Sequence, residues 1–153
     1  MPLIDSICTI KHLNVRKEGP DEAKVMALDI KLSDAETNPA FLARILGAEY
    51  ADVKASFWDS EGEARFSGIE TMTSWCAIDN CTVTMGGLVL KECQIHKFKF
   101  KPRGDFIVEI EFQVSLKEPP ENALPIIGEH VQDGLSVTVD EVQADMFSEA
   151  ANG

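Results

Sequence analysis

The chain has 153 residues, 44% of them apolar, and carries a formal net charge of −12. That is enough for one domain with a real core and too little for two, and the acidic balance repels polyanions at long range, arguing against a tight, indiscriminate nucleic-acid binder. Met1-Pro2-Leu3-Ile4-Asp5 lacks the basic-then-apolar order of a signal peptide and no apolar run approaches a membrane span, so the expectation is a cytoplasmic protein whose Cys8, Cys76, Cys81 and Cys93 are reduced thiols.

In chain order, Cys8 to Arg16 reads as a first strand. Leu13 and Val15 fall on the opposite parity to Cys8 and Ile10, which predicts a bulge or burial on both faces. Gly19-Pro20-Asp21 turns the chain into a second strand carrying Met26, Leu28, Ile30 and Leu32, ended by Ser33-Asp34. Asn38 is a good N-cap ahead of Pro39, so a helix is predicted from Pro39 to Leu46, closed by Gly47. Val53, Ala55 and Phe57 lead as a strand to the turn Asp59-Ser60-Glu61-Gly62, from which Ala64, Phe66 and Gly68 return; Met72 to Ile78 is a further strand ending at Asp79-Asn80. Cys81, Val83 and Met85 run to Gly86-Gly87, a pair suited to the positive φ angles of a two-residue hairpin turn, and Leu88 to Leu90 pairs back.

Two segments of contrasting chemistry follow. Between Ile95 and Arg103, strict alternation sets Lys97, Lys99, Lys101 and Arg103 on one face and His96, Phe98 and Phe100 on the other. Phe106, Val108, Ile110, Phe112, Val114 and Leu116 then alternate with Ile107, Glu109, Glu111, Gln113 and Ser115, the pattern of a long strand with one buried face. The turn Pro102-Arg103-Gly104-Asp105 folds the two into an antiparallel hairpin. Pro119-Pro120 breaks the sheet, Asn122 to Gln132 is at best a short helix weakened by Pro125 and Gly128, and Leu135, Val137 and Val139 form a last strand. Gaps between strands are too short for crossover helices. The predicted class is therefore mainly β: an antiparallel meander forming a sandwich or partly open barrel with two short helices, as a single domain over residues 1–139, followed by an acidic, mobile tail over residues 140–153.

The tail holds Gln143-Ala144-Asp145-Met146-Phe147. This resembles the Gln-x-Asp/Ser-Leu/Met-Phe pentapeptide by which bacterial replication and repair proteins bind the sliding clamp. The resemblance implies that Gln143 is the polar anchor at the rim of a clamp pocket, that Asp145 sets the turn, and that Met146 and Phe147 fill the hydrophobic cleft. Adjacent apolar side chains in an acidic arm also call for a partner on physical grounds. The competing reading has Val142, Met146 and Phe147 continuing the last strand or packing back on the domain.

Lys97, Lys99, Lys101 and Arg103 form the second candidate, as phosphate partners for single-stranded DNA. Alternation puts the phenylalanines on the opposite face, which favours an ordinary half-buried strand; Tyr50 and Trp58 are the other rings that could stack on bases. An acidic tail on a small β domain is similar in layout to single-stranded-DNA-binding proteins, although here six residues follow Phe147. Cys76, Cys81, Cys93 and His96 supply soft ligands, but Cys76-x4-Cys81 is not the spacing of a zinc knuckle, and no metal or cofactor is expected. His12, His96 and His130 stand apart from any nucleophile motif, and Met85-Gly86-Gly87-Leu88 lies between strands and opens no helix. The expected function is that of a non-enzymatic accessory protein of DNA replication or recombination, in the style of a phage protein, docking on the sliding clamp and touching single-stranded DNA. The alternative is a structural or interaction protein of a virion or secretion assembly, or an acidic inhibitor of a host enzyme.

Overall fold

Period-two alternation builds the strands, and hydrogen bonding closes them into a ring. The computed structural model describes residues 2–37, 39–65, 72–74 and 76–142. Within them the strands are β1 (Ile4–Glu18), β2 (Val25–Thr37), β3 (Met72–Ser74), β4 (Ile78–Met85), β5 (Leu88–Pro102), β6 (Val108–Lys117) and β7 (Gly134–Glu141). Pairing runs β1–β2–β6–β5–β4–β7 and back to β1, antiparallel at each step. Six strands thus make a closed barrel, which takes up edges that an open sheet would leave bare. Ile95 of β5 pairs with Ile78 on one side and Val114 on the other; further along, β3 takes the place of β4, with Thr73 opposite Lys99.

The inward residues fill the barrel. Phe98 stacks against Phe100 and Phe112 at 5.9 and 6.3 Å, amid fully buried Leu28, Ile30, Leu32, Ile110 and Val114. Each ring withdrawn from water contributes about 2–3 kcal/mol. Helix α1 (Pro39–Leu46) buries Phe41, Leu42 and Ile45 and sets Phe41 edge-on to Phe98 at 5.8 Å. After a 3₁₀ turn at Gly47–Glu49, α2 (Tyr50–Phe57) follows, and α3 (Ala123–Glu129), which comes between β6 and β7 in the chain, buries Ala123 and Ile127. Among the described residues no helix is long and apolar enough to cross a membrane.

The mainly β, antiparallel expectation is met, and several local readings change. The predicted bulge in β1 is present: Ile10 pairs with Leu32 and His12 with Lys31, leaving Lys11 as the extra residue. Ser33-Asp34 does not end β2. It is a second bulge, with Asp34 at φ 65°, and the strand continues to Thr37 because closing a barrel requires sharp local bending. Val53, Ala55 and Phe57 are helical rather than extended. Tyr50, Val53, Lys54 and Phe57, the at least partly buried positions of α2, follow the i, i+3, i+4, i+7 spacing of a helix. The turn at Asp59–Gly62 is real, closed by Gly62 N–H to Asp59 C=O at 3.1 Å and a Trp58–Ala64 bridge; Phe66 and Gly68 lie outside the described residues, as do Asn38 and Trp75.

Ile78, Asp79 and Asn80 open β4 instead of ending the strand before it. Leu88–Leu90 and the basic segment are one continuous β5. Phe106 belongs to the turn, with Asp105 and Phe106 at φ 61° and 58°, and β6 starts at Val108. Asp140 and Glu141, expected in the tail, complete β7.

Candidate partner-binding surfaces

The clamp-type residues Gln143, Asp145, Met146 and Phe147 lie outside the described residues. What precedes them is held firmly. Arg44 of α1 grips Glu141 through two hydrogen bonds, Nη2 to Oε2 at 2.6 Å and Nε to Oε1 at 3.3 Å. Val142 N–H donates to the Asn80 carbonyl at 3.0 Å, and Asn80 Nδ2 returns a bond to the Val142 carbonyl at 3.3 Å. The segment carrying the motif therefore begins one residue beyond a fixed point on the barrel.

The basic row faces carboxylates. Lys99 is paired across the ladder with Glu111 and Lys101 with Glu109. Arg103 Nη1 lies 3.3 Å from both Glu36 and Glu109, and Lys31 approaches Glu111 at 2.8 Å. Exposed pairs of this kind add little stability, but they offset the positive field that a phosphate chain would need. Phe98 and Phe100 are fully buried, as alternation implied. His96 is not on their face: a bulge at Lys97, φ 56°, separates His96↔Gln113 from Lys99↔Glu111 and puts the imidazole outside the barrel.

There His96 joins a polar chain across four strands. Its Nε2 is 2.8 Å from Ser115 Oγ, the Ser115 hydroxyl donates to Asp29 Oδ1 at 2.7 Å, and Arg16 donates to both Asp29 oxygens at 2.7 and 3.1 Å. Histidine, serine and carboxylate are thus gathered, though the histidines looked isolated in the sequence. Their order decides what they can do. An ionised Asp29 only accepts, so it takes the single Ser115 proton, and His96 Nε2 must then carry the hydrogen that points at Ser115. A nucleophilic triad needs the reverse, with histidine taking the serine proton. Burial and then Lys97 lower the His96 pKa, which favours the neutral ring. These residues sit at outward positions on strands far apart in sequence, and a bulge hides the parity of one of them.

The soft ligands are divided by the barrel wall. Cys81 and Cys93 are cross-strand partners facing inward with no exposure, whereas His96 faces outward. Among the described residues no three metal-binding side chains cluster.

A second region becomes visible only because α2 is a helix. Tyr50, Lys54, Trp58, Asp59, Arg65 and Phe106 border an open groove of about 550 Å³. Trp58 is pinned by its indole N–H to the Arg103 carbonyl at 2.6 Å and lies 5.7 Å from the Phe106 ring. Phe106 is seated over Gly62, whose C=O ties the two loops together by accepting from Phe106 N–H at 3.3 Å. The Lys54 ammonium stands 5.3 Å from the Phe106 centroid and 5.9 Å from that of Tyr50.

Compared with protein families, curated proteins and solved structures, the chain matches none.

Proposed function

We propose that this chain is a non-enzymatic docking protein of DNA replication or recombination that binds a bacterial sliding clamp through Gln143, Asp145, Met146 and Phe147. The observation that carries this reading is the position of the pentapeptide, which starts directly after Val142, the last of the described residues, itself hydrogen-bonded to Asn80 of the barrel. A recognition segment that follows directly on a rigid body needs little ordering to be presented to a partner. The phage style noted above and the cytoplasmic location belong to the same proposal. DNA contact through Lys97, Lys99, Lys101 and Arg103 is its weaker limb, since three of the four face carboxylates.

The test is binding of the full chain to purified clamp by calorimetry or surface resonance. Replacing both anchors, Met146→Ala with Phe147→Ala, removes two buried apolar side chains and should cost about 3 kcal/mol or more, a loss of 100-fold or greater. Equal binding by parent and double variant would end the proposal. A second reading, an acidic inhibitor that occupies a basic site on an enzyme, is favoured by one feature: Arg16, Lys31, Arg44, Arg103 and Lys117 are all engaged by carboxylates. In that case the chain would ignore the clamp, and its association with the enzyme would weaken steeply with salt.

A further inference from the structure

We infer that the groove between α2 and the β5–β6 turn is a binding site for one or two nucleotides of single-stranded nucleic acid, with Tyr50 and Phe106 stacking on bases and Lys54 and Arg65 meeting phosphate. The inference deepens the nucleic-acid limb of the reading above and moves it away from the lysine row; it is independent of the clamp motif.

Three observations converge on it. The first is open aromatic surface. An ammonium can stand over both Tyr50 and Phe106 only where their ring faces are accessible, and both rings are partly exposed. A base is the other common occupant of such faces, since every base presents a π surface. The second is rigidity. Phe106 is held by Trp58 and by close seating on Gly62, and Trp58 is itself fixed to the Arg103 carbonyl, so little ordering is left to be done on binding. The third is charge. Lys54 and Arg65, the latter held in place by its Nε on the Ala55 and Trp58 carbonyls, both line the groove and outnumber the one carboxylate among its described lining residues, Asp59. That contrasts with Lys99, Lys101 and Arg103, each opposite a carboxylate. At about 550 Å³ the groove has room for a nucleotide. When a base arrives, Lys54 gives up its ring contacts and turns to the phosphate.

The experiment is fluorescence anisotropy of a labelled short oligo-dT with the full-length protein, at low and at physiological salt. Tyr50→Ala is expected to weaken binding roughly tenfold, while Tyr50→Phe retains it. Lys54→Ala with Arg65→Ala should weaken binding and flatten its salt dependence, whereas Lys99→Ala with Lys101→Ala leaves both unchanged. Circular dichroism melts of each variant identify any that fail to fold; Tyr50 and Lys54 are chosen because they lie at the rim, and Phe106 is left intact. The site is refuted if the parent does not retain the oligonucleotide, if Tyr50→Ala binds as the parent does, or if the Lys99/Lys101 variant is the one that loses binding. The Met146→Ala/Phe147→Ala protein should keep its oligonucleotide affinity, so failure here and failure of clamp docking are read separately.

Discussion

Asp29 is partly buried on the outer wall, and burial by itself would raise its pKa. Hydrogen bonds from Arg16, Ser115 and Asn14 outweigh burial and hold the carboxyl below its ordinary range. A depressed carboxyl contributes stability that is present above its unfolded pKa and lost as pH falls through the folded one. Asp29→Asn should therefore flatten the acid side of the stability profile, and Asp29→Ala, which leaves Ser115 without its acceptor and Arg16 with Glu18 alone, should cost about 1–3 kcal/mol at neutral pH. Urea midpoints across the acid range read both; a parent-like profile for Asp29→Asn would mean that the chain of bonds adds nothing. None of these partnerships is legible locally, because Asp29 and Ser115 are neighbours only through the β2–β6 register.

At the scale of elements, the loop after α2 and the β5–β6 turn are locked by a glycine. Gly62 has φ +86°, and a Cβ placed on it would fall 2.6 Å from Phe106 Cε2. Gly62→Ala should thus lower stability by about 1–3 kcal/mol, from backbone strain and displacement of the ring, visible as a drop in Tm and a changed near-ultraviolet signal from Trp58. If the melt is unaltered, the two loops are not held together there. The sequence marked this turn correctly but misread what comes before it. Val53, Ala55 and Phe57 satisfy alternation, yet the same eight residues satisfy helical spacing through Tyr50, Val53, Lys54 and Phe57, and eight residues are too few for periodicity to decide. Burial of Phe57, with Tyr50, Val53 and Lys54 partly buried along the same helical stripe, favours the helix.

For the molecule as a whole, the barrel interior is hostile to charge. Burial pushes the Cys8 and Cys93 thiols up to about 12 and Cys81 to about 11, with Asp34 adding to the first, Cys81 to the second, and Glu141 and Asp79 to the third. Groups whose folded pKa is raised stabilise fully below their unfolded value and lose that contribution as pH climbs. Stability should hold to about pH 9 and then decline by up to about 1.4 kcal/mol per pH unit for each thiol. Denaturation midpoints taken at rising pH would show it, and Cys8→Ala with Cys93→Ala should make the alkaline decline shallower; an unchanged slope would assign it to other groups.

What the sequence determined by itself is what depends on near neighbours. Alternation identified the amphipathic strands and the inward phenylalanines, paired glycines placed the β4–β5 turn, at φ 55° and 79°, and the parity change in β1 announced a bulge. The turn Pro102-Arg103-Gly104-Asp105 also announced the β5–β6 hairpin; the tertiary structure alone decided the pairings between strands distant in sequence, β1–β7, β2–β6 and β4–β7, that close the ring, and that bulges at Ser33-Asp34 and Lys97 restart the alternation and turn His96 outward. The reason is physical. Side-chain period is a property of a few consecutive residues, whereas pairing, closure and the carboxylates that confront the lysines arise from twist and register summed over the barrel.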